Sequence, residues 1–188
     1  QIGDPEIVRS TILEALSLWT AVAPIQFTNV PDSGPAPSAD PYPADTHPNI
    51  RFGQYNIDGA GGTLANAYLP SSNIEDGLAG DIHFDVSENW SSNPDTGLDL
   101  LEYATEQIGR ALGLLPSNVT DSIMSSAYGQ YFDGLGTGFV FQADTDGIRS
   151  LYGAGFGYVL DNGTIYLSGT EATDRIQTNI DGTNLTFQ

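Results

Sequence analysis

The stretch that decides the fold reads EQIGRALGLLP and occupies residues 106–116. With the residues before it, this stretch places apolar side chains at helical spacing, which predicts an amphipathic helix. We expect the helix to end at Gly113, because glycine adopts the left-handed backbone conformation that often terminates helices. Glu106 and Arg110 lie one helical turn apart, so their charged groups can form an ion pair. The apolar stripe of this helix comprises Leu100, Leu101, Ala104, Ile108, Ala111 and Leu112.

The composition limits the possible functions. A chain of 188 residues with 39% hydrophobic residues can bury one core. No apolar run approaches the ~20 residues that cross a membrane, and the lack of cysteine excludes disulfides and thiolate metal sites. The formal charge of −19 repels nucleic acid and anionic membranes. The acidic residues either form a solvated surface suited to a salty or extracellular setting, or bind Ca²⁺; both readings stay open.

The pattern of elements predicts an α+β fold. A first helix begins with the cap and first turn Asp4-Pro5-Glu6 and stops before Pro24. A further helix is expected to have Asp144 as its N-cap and to stop at Gly153. Alternating or β-rich runs predict strands at residues 25–30, 50–53, 63–69 and 82–85, and the segment 31–48 reads as a long loop.

Four separated blocks of sequence carry a family resemblance. They read DGAGGTLANA at residues 58–67, GDIHFDVSENW at 80–90, the helix at 106–114, and SIM at 122–124 followed by the segment 141–153. In this order and spacing they resemble the matrixin-type metzincins, the matrix-metalloproteinase-like peptidases, over about residues 4–153. The resemblance implies a mixed twisted sheet with three helices, and a secreted protein. The family's first strand, which precedes the first helix, is expected ahead of Gln1.

The resemblance also shows where the zinc motif has changed. The family pattern H-E-x-x-H-x-x-G-x-x-H supplies three zinc ligands and a general base. Here the ligand positions hold Glu106, Arg110 and Pro116, the base position holds Gln107, and Met124 falls at the family's Met-turn. A guanidinium has no lone pair to offer, proline has no side-chain donor atom, and an amide is not a base near neutral pH. We therefore expect no zinc, no proteolysis, and a partly buried Glu106–Arg110 pair.

The second, structural zinc of the family is also expected to be absent. The resemblance implies ligands at His83 and at Asn66, where the family has histidine. The segment before Asp58 contains neither the further histidine nor the aspartate, and His47 lies apart in the Pro-rich loop. We expect His83 to be a hydrogen-bonded strand residue.

The calcium site of the family is better preserved. The resemblance implies carboxylate ligands at Asp58, Asp85 and Glu88, and backbone carbonyl ligands at Gly59, Gly61 and Thr63. Oxygen donors of this kind suit Ca²⁺. The alternative is that Asp58-Gly59 forms only a turn and that Asp85 and Glu88 lie on a solvated loop.

The C-terminal part has a different sequence pattern. Residues 160–167 and 180–187 form two similar turn-plus-strand patterns, which resemble one coil of the β-roll or β-helix repeats of secreted proteins. We place a boundary between a peptidase-fold domain at residues 1–154 and a β-rich segment at 155–188. Four N-x-S/T motifs begin at Asn89, Asn118, Asn162 and Asn184 and could be glycosylated in a suitable host.

Three functions remain open. The first is a secreted, calcium-stabilised pseudo-metalloprotease that acts as a binding or assembly module. The second is a structural subunit of an extracellular fibre or surface layer, in which the strand Thr63–Leu69 and the C-terminal segment pair with a protein partner or with another copy. The third is a divergent active metallopeptidase that uses Glu106 with a new nucleophile or metal.

Overall fold

The computed structural model describes residues 2–32, 48–70, 78–93, 95–125, 140–167, 178–181 and 184–187. This part of the chain confirms the α+β class. Its helices are α1 (Pro5–Thr20), α2 (Leu100–Ala111) and α3 (Gln142–Tyr152). Its strands are β1 (Gln26–Thr28), β2 (Phe52–Tyr55), β3 (Ala65–Ala67), β4 (Ile82–Asp85), β5 (Trp90–Ser91), β6 (Leu98–Asp99), β7 (Tyr158–Asp161), β8 (Thr164–Tyr166), β9 (Thr178–Asp181) and β10 (Asn184–Phe187).

The strands form mixed sheets. In one three-stranded sheet, β4 lies in the centre, parallel to β2 and antiparallel to β3. In the other, β7 lies between β1, to which it is parallel, and β8, to which it is antiparallel. The remaining strands pair as β5 with β6 and β9 with β10. The strand predicted at residues 63–69 is therefore confined to Ala65–Ala67.

Helix α1 is capped at its start and packs against α2 at its end. Asp4 caps it as expected, since its carboxylate accepts the amides of Glu6 and Ile7. Trp19, at the other end, is fully buried, and its indole N–H donates to the Thr105 carbonyl of α2 at 2.9 Å. A buried indole needs such a partner, so this bond fixes the packing of α1 on α2.

Helix α2 lies close to its neighbours at Gly109. A Cβ atom at this position would stand 2.7 Å from Met124 Sδ and 2.7 Å from the Trp19 ring. Any larger residue would overlap both, which explains the glycine inside a helix. Gly113 follows the helix with φ +105°, a conformation that favours glycine and ends α2 as predicted.

Helix α3 begins earlier than expected. Its first residue is Gln142 and its N-cap is Phe141, so the expectation that Asp144 is the N-cap is wrong. Asp144 is the third helical residue, from which its carboxylate reaches back to the Phe141 amide at 3.0 Å. The same carboxylate accepts the Ile123 amide at 2.8 Å and the Ser122 hydroxyl. One aspartate therefore holds the start of α3 against the turn that contains Met124.

Part of the C-terminal segment, strand β7, is the central strand of the sheet that contains β1. Val159 of β7 is 1% exposed and belongs to the core. Asp161 accepts hydrogen bonds from Arg9 of α1 and from Asn29 after β1. The boundary between residues 154 and 155 and the likeness to a repeat stay predictions.

No helix in these described ranges is long and apolar enough to cross a membrane.

Candidate functional site

The predicted ion pair forms on the face of α2 that looks toward β3. Arg110 donates its Nε–H to one carboxylate oxygen of Glu106, and Gln107 donates its amide N–H to the other. Glu106 is 5% exposed, whereas the Arg110 side chain is 32% exposed. Both oxygens of the carboxylate therefore already have donors, and the guanidinium reaches the surface.

Burial is the largest influence on the ionisation of Glu106. It raises the pKa of this carboxyl, and the attraction and hydrogen bonds of Arg110 and Gln107 only partly oppose the rise. Gln107 Oε1 is also buried, and no described group donates a hydrogen bond to it. Burial and the ion pair thus act in opposite directions on the Glu106 carboxyl, and beside it lies an amide oxygen to which no described residue donates.

The third position of the motif lies away from this pair. Pro116 is exposed beyond the end of α2. The chain then turns back, because the Ser117 amide donates to the Met124 carbonyl at 2.6 Å. Met124 itself is 2% exposed beneath α2. A carboxylate held by two donors, a guanidinium and a proline do not fit a catalytic zinc, which needs three side chains with free lone pairs.

A small cleft separates α2 from β3. Its volume is about 350 Å³, and its lining comprises Leu64, Ala65, Asn66, Ala67, Tyr103, Glu106, Gln107 and Arg110. In the described ranges, β3 pairs only with β4. The bonds to β4 use Leu64 and Tyr68, so by alternation the backbone groups of Ala65 and Ala67 face away from β4. Sequence analysis did not identify Tyr103 as a residue of the cleft. Its position one helical turn before Gln107 could have indicated that both lie on the same face of α2.

The residues left from the second zinc motif lie opposite each other. Asn66 of β3 and His83 of β4 are cross-strand partners. Asn66 Oδ1 and His83 Nδ1 are both buried without a hydrogen-bond partner among the described residues, so the expectation of a hydrogen-bonded His83 is wrong for Nδ1. The His83 ring instead packs edge-on against Tyr55 and Tyr68 at centroid distances of 5.3 and 5.9 Å.

The environment of His83 disfavours its charged form. Burial lowers the pKa of His83, and the nearby Asp81 only partly compensates. Gly53 makes the room for the ring, since a Cβ there would lie 2.7 Å from His83 Cδ2. Across the described ranges, no three His, Cys, Asp or Glu side chains come together as a group that could hold a metal. The described residues around His83 do not provide the ligand set of a structural zinc.

The expected calcium residues lie on the loop between β2 and β3 or contact its backbone amides. The buried Asp85 accepts the Ile57, Asp58 and Gly59 amides through Oδ2 at 3.1, 3.1 and 3.3 Å. Its other oxygen accepts the Ser87 amide at 2.7 Å. Burial alone would raise the pKa of Asp85, but these amide hydrogen bonds outweigh it and hold the pKa at about 2. Asp85 is therefore a permanent anion at the centre of the loop.

The other two acids hold the far side of this loop. Glu88 accepts the Gly61 amide at 2.6 Å, and the Asp58 carboxylate accepts the Thr63 amide at 2.9 and 3.0 Å. Gly59 and Gly61 have φ of +92° and +83°, so both turns favour glycine. The carboxylates contact amides around the loop and do not meet as a three-acid group. Their oxygens and the loop carbonyls are of the chemical type that Ca²⁺ prefers.

The burial of Glu106 predicts a pH effect on stability. Because its pKa is raised in the folded state, the folded protein holds this proton above the pH at which the unfolded chain loses it. The contribution of Glu106 is therefore most favourable at acid pH and declines as the pH rises toward the folded pKa. Relative to Glu106→Gln, the wild type should lose stability in urea unfolding as the pH rises from about 4. A trend of the opposite sign would contradict the raised pKa of Glu106.

Comparison with known proteins gives the family. The matrixin (peptidase M10) family model matches residues 3–153. Matrix metalloproteinase-25 of Mus musculus is 35% identical over 79% of this chain and 24% of its own length. Hatching enzyme of Paracentrotus lividus is 33% identical over 89% of this chain and 24% of its own length. Stromelysin-3 of Xenopus laevis is 38% identical over 78% of this chain and 28% of its own length. The chain spans about a quarter of the length of these relatives. Since the family model covers all three helices and the candidate site, the chain belongs to the matrixin family.

Proposed function

We propose that this matrixin domain is a non-catalytic binding or assembly module. The ion pair between Glu106 and Arg110 is the observation that carries the proposal. It occupies the helix face on which the family motif would place its first two zinc ligands, and Gln107 stands where the general base would be. Hydrolysis at a zinc site needs a metal with an open position and a base matched to neutral pH. Neither requirement is met by these side chains.

The main alternative is an active peptidase with a rebuilt site. It needs a new nucleophile or a new set of metal ligands close to Glu106. The sequence has no cysteine and only two histidines, and His83 lies on β4 between tyrosines. The cleft lining offers one carboxylate, which is already engaged by two donors. The chemistry of the cleft therefore favours binding over catalysis.

We expect the wild-type protein to bind no stoichiometric zinc at α2 and to cleave no unfolded protein substrate. The combined changes Glu106→His, Gln107→Glu, Arg110→His and Pro116→His should create a zinc site, because the scaffold beneath α2 is retained. Elemental analysis after gel filtration measures the zinc, and digestion of a denatured substrate measures activity. Glu106→His alone is the matched control and should not bind zinc, since Arg110 remains.

Two results would contradict this proposal. One is an equimolar zinc in the wild type that Glu106→Ala displaces. The other is a cleavage activity of the wild type that a chelator removes and zinc restores. A fourfold variant that folds but ignores zinc would show instead that the scaffold no longer has the geometry of the family.

We also propose that Ca²⁺ stabilises the loop between β2 and β3. The support is that the Asp58, Asp85 and Glu88 carboxylates all accept amides of that loop, and that the loop carbonyls of Gly59, Gly61 and Thr63 are oxygen donors of the type that Ca²⁺ prefers. The high negative charge of the chain adds a general attraction for cations. Such a metal would neutralise acids that are otherwise held together only by amides.

Calcium removal should therefore lower the melting temperature. Binding to the folded state alone adds about 2.7 kcal/mol when free calcium exceeds Kd a hundredfold. Asp85→Ala should abolish the response to a calcium chelator but also removes a buried anion. Glu88→Gln is the gentler variant, because its amide oxygen can still accept the Gly61 amide; it should weaken the response. Asp121→Asn, an exposed change away from the loop, should leave it intact. An identical melting curve of the wild type with and without chelator would remove the calcium proposal.

The partner of the module is best sought at the open edge of β3. Backbone groups of Ala65 and Ala67 face the cleft, and an edge strand of this kind can pair with an extended segment of another protein. This supports an extracellular binding partner, or self-association into a fibre or surface layer in which the C-terminal strands take part. The acidic composition and the relative named matrix metalloproteinase-25 support an extracellular location.

A substitution at the β3 edge tests whether this edge mediates self-association. Ala67→Pro removes an amide that faces away from β4 and should leave the β3–β4 bonds in place. If the edge mediates self-association, sedimentation velocity should show concentration-dependent assembly of the wild type and its loss in this variant. Ala67→Ser keeps the amide and should behave as the wild type. A wild type that stays monomeric at all concentrations would exclude the fibre form of the proposal.

A further inference from the structure

Arg110 is the cation of the cleft between α2 and β3. It lines this cleft together with Glu106 and Gln107 of α2 and with residues 64–67. Its side chain is 32% exposed, so a molecule that enters the cleft can reach the guanidinium. Glu106 is the other charged residue of the described lining, and it is only 5% exposed. A ligand in the cleft therefore meets the charge of Arg110 first.

The hydrogen-bonding capacity of Arg110 is only partly used. Arg110 donates its Nε–H to Glu106, and no described residue accepts a hydrogen bond from its Nη groups. A guanidinium presents its N–H groups in a rigid planar fork, which matches the two oxygens of a carboxylate. The bond to Glu106 holds this fork in place, so less conformational entropy is lost when a ligand binds to it.

The other arginines in the described ranges are engaged away from the cleft. Arg9 and Arg51 form ion pairs with buried aspartates. Arg149 of α3 donates its Nε–H to a backbone carbonyl. The lining of the cleft includes none of these three residues. Arg110 is therefore the described guanidinium that combines a position in a cleft with open donors.

Two electrostatic effects act in opposite directions on an acidic ligand of this cleft. The chain carries a formal charge of −19, which repels an anion at long range. Physiological salt screens this repulsion beyond about 8 Å. A hydrogen bond between a guanidinium and a carboxylate acts at contact distance and is stronger than one between neutral groups. At physiological salt, the contact with Arg110 therefore outweighs the general repulsion.

We propose that Arg110 makes this cleft a binding site for a carboxylate group of a polypeptide partner. The carboxylate accepts hydrogen bonds from the Nη groups, while Glu106 keeps the Nε–H. The partner segment lies along the edge of β3 that faces away from β4. The inference rests on the binding function proposed for the cleft and adds the chemistry of the partner. This carboxylate belongs to an aspartate or glutamate side chain or to a free C-terminus.

Matched peptides test the inference on the wild-type protein. Short alanine–serine peptides with both ends capped carry one glutamate, glutamine or lysine, and its position is moved along the peptide. NMR titration at about 0.15 M salt measures Kd from the signals of the Arg110 side chain and of the Ala65 and Ala67 amides. At one position, the glutamate peptide should bind about tenfold more tightly than the glutamine peptide, because its hydrogen bonds to Arg110 join opposite charges. The lysine peptide should bind most weakly, in spite of the negative charge of the chain.

A second pair of peptides separates the two sources of the carboxylate. One peptide ends in a free carboxylate, the other is its C-terminal amide, and neither contains an acidic side chain. Tighter binding of the free acid, without a preference for an internal glutamate, would assign the site to a chain end. A preference for an internal glutamate alone would assign it to a side chain. Either result supports a carboxylate site at Arg110.

Substitutions in the ion pair should change this preference in opposite directions. Arg110→Gln removes the guanidinium and should abolish the difference between the glutamate and glutamine peptides. Glu106→Gln keeps an acceptor for the Nε–H but removes the competing charge, so it should tighten the glutamate peptide severalfold and leave the glutamine peptide unchanged. Arg149→Gln removes an equal charge outside the cleft and is the matched control, which should behave as the wild type. The wild-type comparison needs no variant, so it stays decisive if Arg110→Gln does not fold.

Failure of this inference can be distinguished from failure of the proposed function. Equal affinities for the glutamate and glutamine peptides, a preference for the lysine peptide, or no binding of any peptide would overturn the carboxylate site. The non-catalytic role would then still be decided by the zinc and cleavage measurements. Cleavage of the peptides, detected by mass spectrometry, would instead contradict the proposed function.

Discussion

The ion pair between Glu106 and Arg110 decides what the cleft of this matrixin domain can do. A carboxylate that is 5% exposed must be neutral or have a partner, because burying a lone charge is costly. Arg110 supplies the charge, and Gln107 supplies a second donor. Removing Arg110 alone would leave the buried carboxylate of Glu106 without its charge partner, whereas Arg110 reaches the surface. Glu106, Gln107 and Arg110 are thus coupled to one another by hydrogen bonds, so a change at one of these positions affects the other two.

The scaffold around this pair depends on contacts that do not involve it. Gly109 lets α2 approach Trp19 and Met124. Asp144 fastens the Met124 turn to α3. On the other side of the cleft, Asp85 gathers three amides of the loop that leads to β3. Because these interactions are separate from the cleft side chains, the fold does not depend on which residues occupy the positions of the zinc motif. The cleft then remains as a shaped surface beside an open strand edge.

The sequence predicted the parts that depend on local patterns. The three helices follow from apolar spacing, and the Asp4 cap and the Gly113 stop follow from known preferences at helix ends. The Glu106–Arg110 pair follows from their spacing of one turn. The strands at residues 25–30 and 63–69 are shorter than predicted, because the number of paired residues depends on neighbours that the sequence does not reveal.

The parts that depend on distant contacts could not be predicted. Asp144 reaches the Ile123 amide, 21 residues away, and only the folded chain shows that it serves two elements. The unpartnered Nδ1 of His83 follows from burial between Tyr55 and Tyr68, which are far apart in sequence. The spacing of Glu106 and Arg110 in the sequence predicted their ion pair, whereas the groups that surround the pair are seen only in the structure.

The central claim is that the side chains of α2 leave no place for zinc. The most direct measurement is a crystal of the wild-type protein soaked with zinc and recorded at the zinc absorption edge. The account predicts no anomalous peak within coordination distance of Glu106, and an unbroken Glu106–Arg110 pair. A strong peak bonded to the Glu106 carboxylate, with Arg110 displaced from it, would contradict the account.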